Sequence, residues 1–423
     1  METAVKRGIA QKLFYRSLAG LQGGCMELCH GSQTEVLGEA GHPLRATMVV
    51  HSDRLFRRAV LGGDIGLGEA YMDGDWSSPD LVPLVRIAVR NARGLDSSNR
   101  LISAALRGLD RLRHLRRDNT ESGSRRNIAY HYDLGNEFYK LFLDESLAYS
   151  CAFYETGDDA LQRAQENKYA RICHKLDLRP EDHLLEIGTG WGGFAAYAAA
   201  HYGCRITTTT ISRQQHDYSR RRFEPLNAKG ARIELLFEDY RRLKGHFNKL
   251  VSIEMFEAVG HRHYDEFFSA CDRLLTPQGV MLLQTITMNE RHFPEYLKQS
   301  DWIKKYIFPG AELASVASIL RSTAQTGSLQ LLHLEDIGEH YALTLREWRR
   351  RFMARLDQVR ALGFDERFLR MWEFYLAYCE GGFLERYIGD AQLLLAKPAA
   401  SVAFSQPLPG NALRDLPEQV GVS

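Results

Sequence analysis

Apolar runs alternate with amphipathic stretches over most of the chain that follows residue 127. The runs have the length and the β-branched character of buried strands, and apolar positions at helical spacing separate them. Such alternation is typical of a mainly parallel sheet with helices on both faces, which is an α/β architecture. The predicted strands are 183–187, 205–210, 233–237, 249–253 and 279–286.

The first 95 residues follow a different pattern, in which short apolar runs are broken by glycines. A strand is predicted at 46–50, and residues 69–76 predict a short helix that ends in a turn. We therefore expect a small α+β domain at 1–100 and a large α/β domain at 127–398. The last segment, 399–423, contains three prolines and is expected to be a mobile tail.

Between these two domains, residues 101–126 combine an amphipathic helix with a linker. Apolar residues recur at helical spacing over 101–117, and arginines cover the other faces. From Arg107 to Arg126 there are seven arginines and three acidic residues, a local net charge of +4. Two interpretations remain open. The helix either docks on an anionic membrane or is an ordinary helix that packs its leucines between domains.

The overall composition narrows the class of protein. Charged residues make up 25% and apolar residues 44%, as in globular proteins, so disorder is not the expected main state. The formal net charge is only +1 and no nucleic-acid module is recognisable, so we expect no nucleic-acid partner. Seven widely spread cysteines favour neither disulfides nor a metal site. Without a long apolar segment or a signal-peptide pattern, the expected compartment is the cytoplasm.

A glycine-rich turn follows the first strand of the large domain. Residues 184–193 read Leu-Leu-Glu-Ile-Gly-Thr-Gly-Trp-Gly-Gly, and a helix is expected to begin near Phe194. Glycines at such a turn let the backbone approach a ligand and present N–H groups at a helix start. The spacing differs from the dinucleotide fingerprint. It predicts a nucleotide-type cofactor, whose ribose and adenine would lie at the ends of the next two strands.

Several segments together resemble one family, the cyclopropane fatty acid synthases, which include the mycolic acid cyclopropane synthases. The glycine-rich turn is similar to the first motif of class I S-adenosylmethionine-dependent methyltransferases, and Met-Phe-Glu-Ala-Val-Gly at 255–260 is similar to the family's carboxylate motif. Further similar segments are 127–139, 149–154, 305–310, 340–345 and 374–383. The resemblance covers 127–398, and the amino-terminal domain also resembles the small lipid-interacting domain of members that modify phospholipids.

This resemblance implies a class I methyltransferase fold with a doubly wound, mainly parallel sheet. It also implies transfer of a methyl(ene) group from S-adenosylmethionine to the cis double bond of phospholipid acyl chains, with bicarbonate as the base that removes a proton. The implied catalytic residues are Glu257, Tyr341, Gln284, Cys151 and Ile286 (the last two through backbone N–H groups) and Cys379. The implied cofactor-binding residues are Tyr149, Ser150, Gly188, Gly190, Gly192, Thr210, Gln215 and Tyr240.

Gln284 departs from the family pattern, in which histidine is common at this position. Its amide can donate a hydrogen bond but cannot carry a proton, unlike an imidazole. The product therefore stays open between a cyclopropane and a methyl- or methylene-branched chain. Glu254, three residues before Glu257, is assigned to a loop or surface role, as are His261 and His263.

Three functions compete at this point. They are a lipid-modifying methyltransferase, a lipid-binding module with a degenerate methyltransferase domain, and a methyltransferase for soluble small molecules. The intact glycine turn, Glu257 and Tyr341 argue against degeneracy, and the basic helix suits a phospholipid bilayer better than a soluble substrate. We therefore expect an enzyme peripherally associated with the inner face of the membrane. A homodimer is an open alternative to a monomer.

Overall fold

The computed structural model describes residues 8–92 and 134–401, which divide into two compact units. Of these residues, the large-sheet unit contains 134–287, 312–341 and 390–401, and the small-sheet unit contains 8–92, 288–311 and 342–389. The predicted basic helix at 101–117, the motif residues 127–133 and the chain beyond residue 401 lie outside the described residues. Across the described ranges, no helix has both the length and the apolar character that crossing a bilayer requires.

The elements are numbered here along the chain. The helices are α1 (Ile9–Leu18), α2 (Arg54–Met72), α3 (Leu81–Arg90), α4 (Asn136–Lys140), α5 (Leu161–Lys175), α6 (Gly193–Tyr202), α7 (Arg213–Ala228), α8 (Tyr264–Leu274), α9 (Phe293–Tyr296), α10 (Trp302–Tyr306), α11 (Val316–Thr326), α12 (Gly338–Met353), α13 (Leu356–Ala361) and α14 (Glu366–Leu384). The strands are β1 (Cys25–His30), β2 (Gln33–Gly38), β3 (Arg45–Val50), β4 (Trp76–Ser77), β5 (His183–Ile187), β6 (Arg205–Thr209), β7 (Arg232–Leu236), β8 (Phe247–Ile253), β9 (Leu275–Met288), β10 (Gln330–Asp336) and β11 (Ile388–Ala396).

The large-sheet unit is organised around a seven-stranded sheet in the order β10-β11-β9-β8-β5-β6-β7. Parallel pairing joins β9, β8, β5, β6 and β7, and β10 is antiparallel to β11 at one edge. The five parallel strands are those predicted from the sequence, with ends that differ by a few residues. The prediction of an α/β fold with a mainly parallel sheet is confirmed.

Neighbouring residues of the central strands belong to two separate apolar clusters. Leu185 of β5 and Leu250 of β8 belong to one cluster, while Leu184 and Val251 belong to the other. Successive side chains of a strand point to opposite faces, so a strand buried on both faces needs an uninterrupted apolar run. This is why the central strands read as continuous hydrophobic segments in the sequence.

The small-sheet unit contains a four-stranded sheet in the order β2-β1-β3-β4. The strand predicted at 46–50 is β3, whereas the short helix predicted at 69–76 is the end of α2, which is kinked at Gly63 (φ 57°, ψ −133°). This glycine interrupts the helical backbone, as the sequence pattern indicates for a breaker, and the helix after it begins earlier than predicted. A Cβ on Gly68 would lie 2.4 Å from the Trp302 ring, so close packing within this unit requires the glycine.

The small-sheet unit is built from three separate stretches of chain. The Tyr71 hydroxyl donates to the Glu373 carboxylate at 2.7 Å, and the Arg370 guanidinium donates to the backbone oxygen of Trp76 at 2.7 Å. A Cβ on Gly381 would lie 2.6 Å from the Val85 side chain, so α14 packs closely against α3. The contacts therefore divide the chain differently from the predicted boundaries at 1–100 and 127–398. Partners about 300 residues apart leave no local pattern from which this packing could be read.

Replacing Glu186 with glutamine is expected to flatten the pH dependence of stability. Glu186 on β5 is 2% exposed and accepts a hydrogen bond from the Thr208 hydroxyl at 2.5 Å. Burial raises the pKa of its carboxyl from 4.5 to about 8, so the folded protein keeps a proton that the unfolded chain releases. The free energy of unfolding should therefore fall as the pH rises between these values, by up to about 1.4 kcal/mol per pH unit from this group. Denaturant unfolding of wild type and Glu186→Gln at several pH values measures the difference, and equal slopes would contradict the assignment.

Candidate active site

The glycine-rich turn joins β5 to α6 at the point where the strand order reverses. β5 lies between β8 and β6, and ligands of open α/β sheets bind at such a switch point. Gly188, Gly190 and Gly192 all have positive φ angles, of 104°, 54° and 82°. The backbone N–H groups of Gly188 and Thr189 donate to the Thr209 oxygen at 3.1 and 3.0 Å, which fixes the turn against the end of β6.

The space around the turn differs from one glycine to the next. A Cβ on Gly192 would lie 2.7 Å from the Phe223 ring, so this residue must be small for packing. A Cβ on Gly190 would meet no protein atom within 4 Å among the described residues. Gly190 therefore faces open space at the start of a helix, which fits a cofactor held close to the backbone.

The other predicted cofactor residues lie on the elements around this turn. The Thr210 hydroxyl donates to the Gln215 side chain at 2.9 Å directly after β6. The Ser150 hydroxyl accepts a hydrogen bond from the buried Lys168 ammonium at 2.7 Å. The Tyr149 ring packs on Tyr139, whose own ring lies 4.9 Å from that of Trp191 in the turn. Tyr240 is buried after β7 and contacts Phe267 edge-on.

A second set of functional groups surrounds Glu254, which directly follows β8. Its Oε1 accepts hydrogen bonds from the Cys151 backbone N–H and the Gln284 amide, both at 2.8 Å. Its Oε2 accepts the Tyr341 hydroxyl at 2.6 Å. Glu254 does lie in the loop after β8, but a surface role is wrong, because its carboxylate accepts hydrogen bonds from three of the predicted catalytic residues. Its position immediately after a buried strand was the signal that could have found it.

Glu257 accepts a hydrogen bond from the one predicted donor that does not contact Glu254. Its Oε1 accepts the Ile286 backbone N–H at 2.6 Å and the Thr285 hydroxyl at 2.9 Å. Its Oε2 is buried and has no hydrogen-bond partner among the described residues. Burial, and secondarily the charge of Glu254, raise the pKa of Glu257 to about 7.

The Gln284 side chain is held in one orientation by a chain of hydrogen bonds. Its Oε1 accepts from the Gln392 amide at 3.0 Å, and Gln392 in turn accepts from the Lys175 ammonium at 2.6 Å. The Gln284 NH₂ group therefore points toward the carboxylates, donating to Glu254 and, at 3.3 Å, to Asp390. Sequence reasoning did not include Asp390 or Gln392, because both lie on β11, which was itself not predicted.

The buried carboxyl groups are not all ionised. Burial and the charges of Glu254 and Glu257 raise the pKa of Asp390 well above its usual value. Burial also raises the pKa of Glu254, but three donors and the charge of Lys168 oppose that effect. Within the Glu254–Asp390 pair, the proton is therefore favoured on Asp390 and the negative charge on Glu254. Burial lowers the pKa of Lys168 to about 8.

Comparison with known proteins assigns this arrangement to a family. The family model described as mycolic acid cyclopropane synthetase matches residues 119–393. The chain belongs to the mycolic acid cyclopropane synthetase family. The resemblance stated from the sequence is thus confirmed, and the protein is a methyltransferase of the cyclopropane-fatty-acyl-phospholipid synthase type.

The relatives and solved structures agree with this membership. The tuberculostearic acid methyltransferase UfaA1 of Mycobacterium tuberculosis is 36% identical over 406 residues, which cover 93% of this chain and 92% of that protein. The cyclopropane-fatty-acyl-phospholipid synthase of Escherichia coli strain K12 is 35% identical over 369 residues, 86% of this chain and 92% of that one. The crystal structure of mycolic acid cyclopropane synthase CmaA1 complexed with SAH and CTAB is similar with a TM-score of 0.60 and 32% identity, over 64% of this chain and 98% of that one.

Most of the predicted site residues of this methyltransferase lie in two neighbouring groups. One group surrounds the glycine turn, and the other surrounds Glu254 and Glu257. A Cβ on Gly188 would lie 3.0 Å from the Met255 side chain, so the glycine turn contacts the loop that carries Glu254 and Glu257. Cys379 lies on α14 in the small-sheet unit, where burial raises the pKa of its thiol. Its place in the catalytic site stays a prediction.

Two alanine substitutions separate cofactor binding from backbone strain. Gly190 and Gly203 have similar φ angles, 54° and 63°, and at both a Cβ would meet no atom within 4 Å among the described residues. Each Gly→Ala change should destabilise the methyltransferase by roughly 1–2 kcal/mol, since L residues disfavour this conformation. Only Gly190→Ala should also weaken binding of S-adenosylhomocysteine, by about tenfold or more, in calorimetric titration. Equal affinities in the two variants would show that the cofactor does not approach Gly190.

Proposed function

We propose that this protein transfers the methyl group of S-adenosylmethionine to a cis double bond in the acyl chain of a membrane phospholipid. The observation that carries the proposal is the contact between the glycine turn and the carboxylate cluster around Glu254 and Glu257. An electrophile bound at the turn would lie beside groups of negative charge. The names of the relatives, which include fatty acid and phospholipid substrates, support a lipid acceptor.

The chemistry explains why a methyltransferase would need such a cluster. An isolated alkene is a weak nucleophile and reacts only when held in line with an electrophilic carbon in a dry site. The bound cofactor would supply that carbon as its sulfonium methyl group. Methyl transfer leaves a cation on the acyl chain, which nearby carboxylates stabilise until a base removes a proton. The fold alone would not indicate this reaction, because class I methyltransferases act on many substrates.

The proton that leaves determines the product. Loss of a proton from the transferred methyl closes a cyclopropane ring, which is the first candidate and the reaction named for the Escherichia coli relative. Loss from a neighbouring chain carbon leaves a methyl-branched alkene. Gln284 favours this second candidate, because its amide is fixed in a hydrogen-bond network and cannot shuttle protons as an imidazole can. The relative named tuberculostearic acid methyltransferase supports it as well.

A deuterium experiment tests the function and the product together. The protein is incubated with S-adenosylmethionine carrying a CD₃ group and vesicles of cis-monounsaturated phospholipid, and the released fatty acids are analysed by mass spectrometry and proton NMR. A cyclopropane product keeps two deuterium atoms and loses its vinyl signal, whereas a methyl-branched alkene keeps all three. Release of S-adenosylhomocysteine without change to any lipid would overturn a lipid acceptor. Binding of cofactor without any turnover would favour a lipid-binding module.

Docking on the bilayer is expected to be electrostatic and to use the basic segment 101–126. Vesicle binding should weaken as salt rises, because the Debye length falls from about 10 Å at 0.1 M to about 3 Å at 1 M. Replacing Arg116 and Arg117 by glutamine should weaken co-sedimentation with anionic vesicles. The matched control replaces the exposed Arg179 and Arg205, which lie in the large-sheet unit. Binding that is independent of salt, or equal loss in both double variants, would contradict docking through this segment.

A further inference from the structure

The hydrogen-bond donors expected to hold bicarbonate are already bound to carboxylates of the chain. The Tyr341 hydroxyl and the backbone N–H groups of Cys151 and Ile286 each have one proton to donate. Those protons go to Glu254 and, for Ile286, to Glu257, at 2.6–2.8 Å. Gln284 has two, which point to Glu254 and Asp390. None of these donors has a further proton for a free anion.

The charge of the site also disfavours bicarbonate. A bound bicarbonate would add a negative charge beside the Glu254 carboxylate and beside Glu257, whose pKa the charge of Glu254 already raises. Like charges that share one buried site disfavour one another strongly. The residues present do not fit a free anion as the base.

The backbone of Glu254 gives a second, independent observation. Its φ angle is +47°, in the left-handed region that costs an L residue roughly 1–2 kcal/mol relative to glycine. Its N–H donates to the Gln284 backbone oxygen at 2.8 Å, which holds it in this conformation at the end of β8. A glycine at this position would not be strained. The chain has a glutamate instead, whose side chain accepts hydrogen bonds from three donors. Such strain is typical of functional positions.

Exposure within the cluster is uneven. Gln284, Cys151 and Asp390 are fully buried, whereas Glu254 is half-buried. Of these four residues, Glu254 is the one that retains some exposure.

We propose that the Glu254 carboxylate takes the place of bicarbonate and accepts the proton that the alkylated acyl chain loses. The inference rests on the proposed function. The alkene electron pair forms the new C–C bond while the S–C bond of the sulfonium breaks and its pair stays on sulfur. The pair of the broken C–H bond then forms the ring C–C bond, or the new C=C bond of a branched product. The proton goes to a carboxylate oxygen of Glu254, which becomes neutral, and it returns to solvent before the next turnover.

The surrounding groups suit this role. Tyr341, Gln284 and the Cys151 N–H keep the carboxylate in one position between turnovers, which preorganises the base. Burial raises the pKa of Glu254 and so increases its affinity for the proton that it must accept. The pKa of Asp390 is raised by burial and by the neighbouring carboxylates, which favours its neutral form behind Glu254.

The test compares wild type with Glu254→Gly and Glu254→Gln, each in CO₂-depleted buffer and in buffer with added bicarbonate. The wild type should methylate lipid equally under both conditions. Both variants should be slower by about 100-fold or more without added anion, the usual effect of losing a general base. Added bicarbonate should restore activity in part to Glu254→Gly, which vacates the donors, but not to Glu254→Gln, whose amide fills the same space.

A binding measurement gives a readout that does not depend on turnover. Carbon-13-labelled bicarbonate should show line broadening with Glu254→Gly and none with wild type. Thermal unfolding should show that Glu254→Gly is folded, since glycine relieves the strained φ angle. S-adenosylhomocysteine should bind all three proteins equally, because the hydrogen-bond partners of the Glu254 carboxylate are Cys151, Gln284 and Tyr341. None of these residues belongs to the glycine turn.

The outcomes separate this inference from the proposed function. Wild type that methylates no lipid under any condition would overturn the proposed function. Wild type that methylates lipid only with added bicarbonate, or Glu254→Gly that is fully active without it, would overturn the role of Glu254 alone. If Glu254→Gly did not fold, the response of wild type to bicarbonate would still decide the question.

Discussion

The burial of several carboxyl groups in one place is the constraint on which the rest of the site depends. Glu254, Glu257 and Asp390 lie close enough to shift one another's pKa, and such a group is stable only if donors and protons are shared among them. The parallel sheet makes this sharing feasible. β8 leads directly into the loop with two of the carboxylates, β9 supplies backbone and side-chain donors, and β11 supplies the third acid. The register of the strands, as much as the loops, therefore determines where the carboxyl groups and their hydrogen-bond donors lie.

Much of this was visible in the sequence, and the reasons for the remainder are physical. The five parallel strands and the glycine turn were predictable because burial on both faces and close ligand approach impose local patterns. Glu257, Tyr341 and Gln284 were found through the family resemblance. For Glu254 the local signal is its position directly after a buried strand, whereas its three donors come from distant parts of the chain. β11 was missed because an apolar run of this length does not distinguish a buried strand from a buried helix.

The comparisons and the geometry answer different questions. Family membership establishes a methyltransferase of lipids, and the sheet topology explains where its cofactor turn lies. Neither determines how the substrate cation is quenched. In the proposed mechanism, that property depends on a few side chains at one edge of the sheet, among them Glu254 and Gln284. Two relatives of similar identity to this chain carry names for different products.

The small-sheet unit, formed from three separate stretches of chain, has a consequence for how such enzymes can diversify. A single genetic crossover between residues 92 and 134 would join the first stretch of one parent to the second and third of another. The recombinant would have to match α3 to a foreign α14 at a contact as close as that of Val85 with Gly381. Exchange of this unit between lineages therefore requires compensating changes far downstream, and point substitution within each lineage is the more accessible route to a changed unit.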